Sequence, residues 1–228
     1  MNLLESVYQQ FNRLALTIGI YLPFTSSYNL FQTLKGGGKT ILDVGCGKGG
    51  AMASIKRHQR FITAGIDIHR PYLECARECH THNHLVRGDV RHLPFKPKSF
   101  DSIICLEVIE HLDKAEGVKL LASMENIAIL KTMLSMPIGQ WEQHAYDGNP
   151  YQEHRSQWKP SELRALGYKV HVTGVRGTGG EWRGRSGFWR ALDILWRLFS
   201  IVVAPLVTFF PQAAGNMVCS KDVSKSHQ

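Results

Sequence analysis

The stretch ILDVGCGKGG, residues 41–50, constrains this chain more than any other. Ile41 to Val44 read as a buried strand, and they run without a break into a turn in which four of six residues are glycine. Glycine lets a backbone turn sharply and approach a ligand closely, and a helix that follows brings its positive N-terminal pole to the same place. A strand, a glycine turn and a helix in this order open an α/β unit that nicotinamide oxidoreductases share with other nucleotide-binding proteins.

The chain repeats that alternation. TILDV (40–44), FITAGID (61–67), HLVRGD (84–89), FDSIICLE (100–107) and KTMLSMP (131–137) predict strands, and 49–58, 71–80 and 113–127 predict helices. Such an alternation predicts a parallel sheet with helices on both faces, with ligands at the carboxyl ends of the strands. Lys159 to Glu162 then suggest a helix start and YKVHVTGV (168–175) a strand. The Gly/Arg-rich loop RGTGGEWRGRSG, an apolar segment from Phe188 broken at Pro205 and Pro211, and a closing strand NMVCSKD (216–222) follow. The expected organisation is a single domain over 1–228: a helical leader (1–34), a core (35–186), an apolar helical insert (187–211), and a closing strand with its tail (212–228). Within the leader, Leu3, Leu4, Val7, Tyr8, Phe11, Leu14, Ala15 and Ile18 recur at helical spacing, and Glu5 stands where a signal peptide would be basic.

Three further acids sharpen the first motif. Asp67 ends the second strand about twenty residues on, where a carboxylate can take both hydroxyls of a ribose. Asp89 ends the third strand and Glu107 the fourth. A nicotinamide enzyme requires only Asp67, whereas acids at successive strand ends suit a ligand carrying a ribose, an adenine amine and a free ammonium group.

Taken in order, ILDVGCGKGG, GIDIHR, VRGDVRHLPFKPKSFDSIICLEVIEHL and SMPIG resemble the motif series of class I S-adenosylmethionine-dependent methyltransferases over residues 38–138. The resemblance implies a Rossmann-like seven-stranded α/β sheet of order 3-2-1-4-5-7-6, its seventh strand antiparallel, and S-adenosyl-L-methionine as cofactor. By matched position it places Gly45, Cys46 and Gly47 at the methionine moiety, Asp67 and Ile68 at the ribose, and Asp89 and Val90 at the adenine. Leu106 and Glu107 then lie near the amine and sulfonium, and Asp43 orients the amine.

The acceptor is less constrained. The Asn-Pro-Pro-Tyr type motif of amino-group methylases is absent after the fourth strand, where CLEVIE stands, and Asn149-Pro150-Tyr151 echoes it only in part. No Pro-Cys pair offers the nucleophile of cytosine methylases. A base is useful mainly when the acceptor is a hydroxyl. His144 and His154, in the loop after the fifth strand, and His111, one helical turn past Glu107, are the candidate catalytic groups. In DGNPYQEHRSQW (147–158), Tyr151, Gln152, Arg155 and Trp158 are the candidate acceptor wall. The expected reaction is O-methylation of a small-molecule, saccharide or lipid-linked acceptor. The alternatives are C-methylation of a quinone-like lipid, a nicotinamide-dependent oxidoreductase, and a catalytically silent cofactor-binding scaffold.

A net charge of +8 on 228 residues admits anionic partners, but the basic residues are scattered, which argues against nucleic acid. The five cysteines, odd in number in a chain this large, fit reduced thiols in a cytoplasm. Cys75, Cys79, His80, His82 and His84 lack the separated ligand pairs of structural zinc, so no metal is expected. Between 188 and 205, Arg190, Asp193, Arg197 and Ser200 form one polar stripe on an apolar helical pattern. Their charges and Pro205 argue against a span, leaving core, lid or peripheral contact with the cytoplasmic face of a membrane through 188–210.

Overall fold

The computed structural model describes residues 21–22, 25–139, 143–145, 147–176, 195, 199, 202–203, 205–207 and 209–224. The expected leader helix around 3–18, the loop 177–187 and the polar stripe Arg190, Asp193, Arg197 and Ser200 lie outside them.

Seven strands form one sheet: β1 (Thr40–Val44), β2 (Ile62–Asp67), β3 (His84–Arg87), β4 (Phe100–Leu106), β5 (Ala128–Pro137), β6 (Lys169–Val175) and β7 (Ala214–Asp222). Their spatial order is β3-β2-β1-β4-β5-β7-β6, with β7 antiparallel, the Rossmann-like arrangement anticipated from the motif series. Register is what builds the site. Val44 lies beside Ile66 on one side and Cys105 on the other, Asp67 beside Arg87, and Leu106 beside Ser135. Gly45, Ile68, Gly88 and Glu107 therefore leave their strands along one rim.

The helices are α1 (Ser26–Leu34), α2 (Gly50–Lys56), α3 (Arg70–Glu78), α4 (Lys114–Ile127) and α5 (Pro160–Ala165). Thr25 starts α1, its Oγ1 accepting from the Tyr28 N–H at 3.1 Å. Pro71 sits in the first turn of α3, where a missing N–H costs nothing. At the start of α4 the Asp113 N–H donates to Glu116 Oε2 at 3.1 Å. This helix buries Leu120, Leu121, Met124 and Ile127, each worth about 1.5–3 kcal/mol if fully removed from water. Several boundaries differ from the expected ones by one to three residues. β3 stops at Arg87, so Asp89 belongs to the following turn; β5 begins at Ala128, directly off the end of α4, where no glycine or proline marks the change.

Contacts divide the chain into two compact units. Residues 33–170 with 219–228 hold β1 to β5 and α2 to α5. Here Lys221 Nζ bonds Glu125 Oε2 at 2.7 Å and the Leu166 carbonyl at 3.0 Å, and the Val223 N–H donates to Leu130 O at 2.8 Å. Residues 1–32 with 171–218 form the other. In it the Ser26 and Thr173 hydroxyls meet at 2.7 Å and the Arg176 N–H donates to Ala213 O at 2.8 Å. Its described helical residues after 195 bury Val207 while Leu195, Val202, Leu206 and Phe209 are 61%, 76%, 56% and 77% exposed. No helix among the described residues is long and apolar enough to cross a membrane.

Candidate active site

One cavity opens along the rim, and Gly45, Gly47, Asp67, Ile68, Asp89, Val90 and Glu107 all line it. Gly45 leaves β1 at φ +69°, and its N–H and that of Cys46 donate to Ile66 O at 2.8 and 3.1 Å. A Cβ on Gly45 would stand 2.4 Å from Val108 Cγ2, so the turn needs glycine for both conformation and space. The Asp67 carboxylate, 9% exposed, accepts the Gly47 N–H through Oδ2 and the His69 N–H through Oδ1, both at 2.8 Å. Burial raises its pKa, and those two N–H groups oppose the rise.

Asp89 is held by Arg91, whose guanidinium reaches Oδ2 at 2.6 Å; this bond keeps the carboxyl below its usual range. Arg91 also reaches Glu116 at 3.2 Å, fastening the turn after β3 to α4. Glu107 takes φ +55°, a conformation L-residues rarely adopt, and the step off β4 is fixed twice. Its N–H donates to Ser135 O at 2.9 Å, and Ser135 Oγ donates back to Glu107 Oε1 at 2.6 Å.

Beyond Glu107 a short 3-10 turn, Ile109–His111, faces the loop 147–158. Backbone bonds join the two: the Arg155 and Ser156 N–H groups donate to Glu110 O at 2.8 and 3.0 Å, and Ser156 Oγ to Ile109 O at 3.3 Å. His111 Nδ1 donates to Glu153 O at 3.0 Å, and its ring lies 4.9 Å from that of His154, tilted by 52°. Burial lowers the His111 pKa to about 4; neighbouring His154 adds to this, and the carbonyls of Glu153 and Glu107 oppose it. At neutral pH this ring is therefore uncharged, with its second nitrogen a lone-pair donor. Glu110, 2% exposed, has an Oε2 with no hydrogen-bond partner, and burial followed by the Glu107 charge pushes its pKa well above the carboxylate range. Among the described residues, Glu110, His111 and His154 are the cluster whose donor atoms approach closely enough, within 4.8 Å of one another, to hold an ion.

A family model described as a methyltransferase domain matches residues 42–129, the span that supplies β1 to β4 and the whole rim. Over this segment the chain is similar to methyltransferase domains. Over 114 residues the chain is 33% identical to the phthiotriol/phenolphthiotriol dimycocerosates methyltransferase of Mycobacterium leprae, covering 46% of this chain and 42% of that one. It is 31% identical over 101 residues to the ubiquinone biosynthesis O-methyltransferase of Vibrio atlanticus, 42% of each. The chain thus spans less than half the length of these curated relatives. In fold it is similar to the crystal structure of a SAM dependent methyltransferase from Archaeoglobus fulgidus, with TM-score 0.57, 14% identity, and 97% and 100% of the two chains covered.

Three of the anticipated cofactor residues do not line the cavity. Asp43, 3% exposed, faces His82 at 3.1 Å instead, and His82 Nδ1 meets Thr81 Oγ1 at 2.8 Å. Thr81 Oγ1 in turn donates to Ala76 O at 3.2 Å. Cys46 packs its thiol against Gly65, where burial pushes its pKa up, and Leu106 remains within β4.

On the acceptor side Tyr151, Gln152 and Arg155 line the cavity with His111, whereas His144 is exposed and not in the wall. Trp158 corrects the sequence reading: it is 1% exposed, under Lys114 at 3.8 Å, where a Cβ on Gly117 of α4 would touch its ring at 2.7 Å. It is core, because only glycine at 117 leaves a slot for an indole. Arg91, Val108, Leu112 and Asn149 line the cavity without having been anticipated. Asn149 had a visible signal in Asn149-Pro150, since an asparagine before proline suits the start of a turn; its Oδ1 accepts the Tyr151 N–H at 3.0 Å.

Proposed function

We propose that this chain is an S-adenosylmethionine-dependent methyltransferase acting on a hydroxyl of a lipid-linked or other small acceptor. The observation that carries the reading is that one cavity is lined both by Gly45, Gly47, Asp67, Asp89 and Glu107 and by His111, Tyr151, Gln152 and Arg155. The residues fit the cofactor: Asp67 keeps acceptor capacity for ribose hydroxyls beyond its two backbone bonds, and a Cβ on Gly47 would meet nothing nearer than Tyr72 at 3.9 Å, leaving room beside the turn. Bound there, S-adenosylmethionine supplies a methyl group already activated on a sulfonium.

The chain's own task is to place an oxygen in line with that methyl and lower the cost of losing its proton. The acceptor oxygen bonds to the methyl carbon, the carbon–sulfur pair stays on sulfur, and the hydroxyl proton leaves. His111, in the cavity wall, and His154, whose ring lies 4.9 Å from it, are the groups assigned to take that proton or lower its pKa. The relatives named for methylating ubiquinone precursors and phthiotriol lipids support an acceptor of this class. Incubating the protein with labelled S-adenosylmethionine and a panel of lipid-linked and phenolic alcohols should yield methyl ethers. His154→Ala should lower turnover without weakening S-adenosylhomocysteine binding. A product methylated on carbon would overturn the assignment to oxygen, and unchanged turnover in the variant would remove the role given to His154.

The apolar residues Leu195, Val202, Leu206 and Phe209, together with the net charge of +8, suit contact with an anionic lipid surface rather than a span. Vesicles containing phosphatidylglycerol should sediment the intact protein and release it when Leu206 and Phe209 are changed to serine. Equal sedimentation of the two proteins would remove this contact.

A further inference from the structure

Glu110 is the buried acid that hydroxyl methylation leaves without a role. A carboxylate oxygen 2% exposed and with no partner is costly unless something in the native state answers it. Two imidazoles stand close by, those of His111 and His154, and all three donor atoms lie within 4.8 Å of one another. His111 already has the outer bond common among metal-binding histidines: Nδ1–H to the Glu153 carbonyl at 3.0 Å, which leaves Nε2 its lone pair. The loop carrying His154 is tied to the turn carrying Glu110 and His111 by the bonds from Arg155 and Ser156 to Glu110 O, so the three donors are held together by backbone.

We propose that Glu110, His111 and His154 bind one divalent first-row transition ion beside the cavity wall that His111 lines. Two imidazoles and one carboxylate suit zinc, cobalt, iron or manganese and are a poor set for calcium or magnesium, which prefer oxygen alone. Ligation at about 2.1 Å in tetrahedral geometry sets donors about 3.4 Å apart, so the present cluster closes by roughly 1.4 Å at most. Three protein ligands leave a position open, and His111 lines the cavity, so that position serves the acceptor. The inference rests on the proposed hydroxyl chemistry, with the imidazoles acting through the ion rather than as free bases. The acceptor oxygen coordinates, its proton passes to water, and its electron pair then forms the bond to the methyl carbon while the carbon–sulfur pair stays with sulfur.

The test is equilibrium binding of Zn²⁺ and Co²⁺ to chelator-treated full-length protein in the presence of S-adenosylhomocysteine. One ion per chain is expected, with a visible Co²⁺ spectrum of mixed nitrogen and oxygen ligation. Glu110→Gln and His154→Asn should each weaken binding by more than the roughly 10- to 100-fold that changes around a metal's ligands cost. His84→Asn, at the exposed start of β3, should leave it unchanged. Circular dichroism on each variant separates lost ligation from lost folding. Failure of the wild-type protein to bind a stoichiometric ion, or binding that survives both ligand changes, overturns the site. Ether formation without any ion would remove the site and keep the proposed reaction. A bound ion with carbon-methylated product would keep the site and remove the hydroxyl.

Discussion

Asp43 and Glu110 are two carboxylates almost equally deep, 3% and 2% exposed, in the same compact unit, and their surroundings are opposite. Asp43 ends a closed chain of hydrogen bonds through His82 and Thr81 to the Ala76 carbonyl. Glu110 keeps an oxygen with no partner and sits between two imidazoles. Burial alone therefore says little about what an acid does. A carboxylate whose bonds are complete belongs to the scaffold, and one left incomplete beside two imidazoles belongs to a ligand.

Breaking the closed side should have the largest effect. His82→Leu strands the Asp43 carboxylate, and an unpaired buried charge costs about 3–5 kcal/mol, read as a lower urea midpoint. Gly49→Ala strikes the same chain from outside: at φ +76° its Cβ would fall 2.1 Å from Thr81 Oγ1. A loss of about 1–3 kcal/mol is expected from the left-handed conformation, with the displacement of Thr81 adding to it. A Gly49→Ala protein as stable as wild type would show that the chain is looser than its distances indicate.

Asp67 stands between the two cases, since both its oxygens are bonded and it still faces the cavity. Asp67→Asn should weaken S-adenosylhomocysteine binding by about 10- to 100-fold, the worth of one or two charged hydrogen bonds. The sign with pH follows from its raised pKa: the anion is the form that accepts ribose hydroxyls, and burial makes it protonate above the ordinary carboxylate range. Calorimetric affinity should fall as pH is lowered from neutral, and the Asn variant should lack that dependence. The smallest effect belongs to the open side. Glu110→Gln replaces a side chain that burial already drives toward its neutral form and that has no partner to lose at Oε2, so the metal-free protein should change in stability by about 1 kcal/mol or less. A loss as large as that of His82→Leu would make Glu110 structural and erase the contrast.

The cofactor rim was legible because its residues follow strands, and strand ends are marked by period, glycine and charge. Gly45, Gly47, Asp67, Ile68, Asp89, Val90 and Glu107 meet in one wall for that reason. Asp43 was not legible, since its direction depends on His82, a residue thirty-nine positions away in what reads as a polar loop. Trp158 and Tyr151 share one loop and one chemistry, yet the first is core and the second is 50% exposed. Nothing within the loop separates them; the glycine at 117, on another element, does. The Glu110 cluster escaped notice because its histidines are forty-three residues apart and meet only when the loop bonds to the turn.

β7 lies between β5 and β6 although it is made after both. A chain leaving the ribosome therefore presents β5 with one flank unclaimed while β6 and the long apolar segment behind it are still being synthesised. Only when residues 214–222 emerge can the last three strands pair, which makes this closure the long-range and slow step of folding. Until then the growing polypeptide offers a hydrogen-bonding strand and an apolar stretch to anything nearby, so its yield in a cell depends on chaperone capacity more than the stability of the finished sheet would suggest.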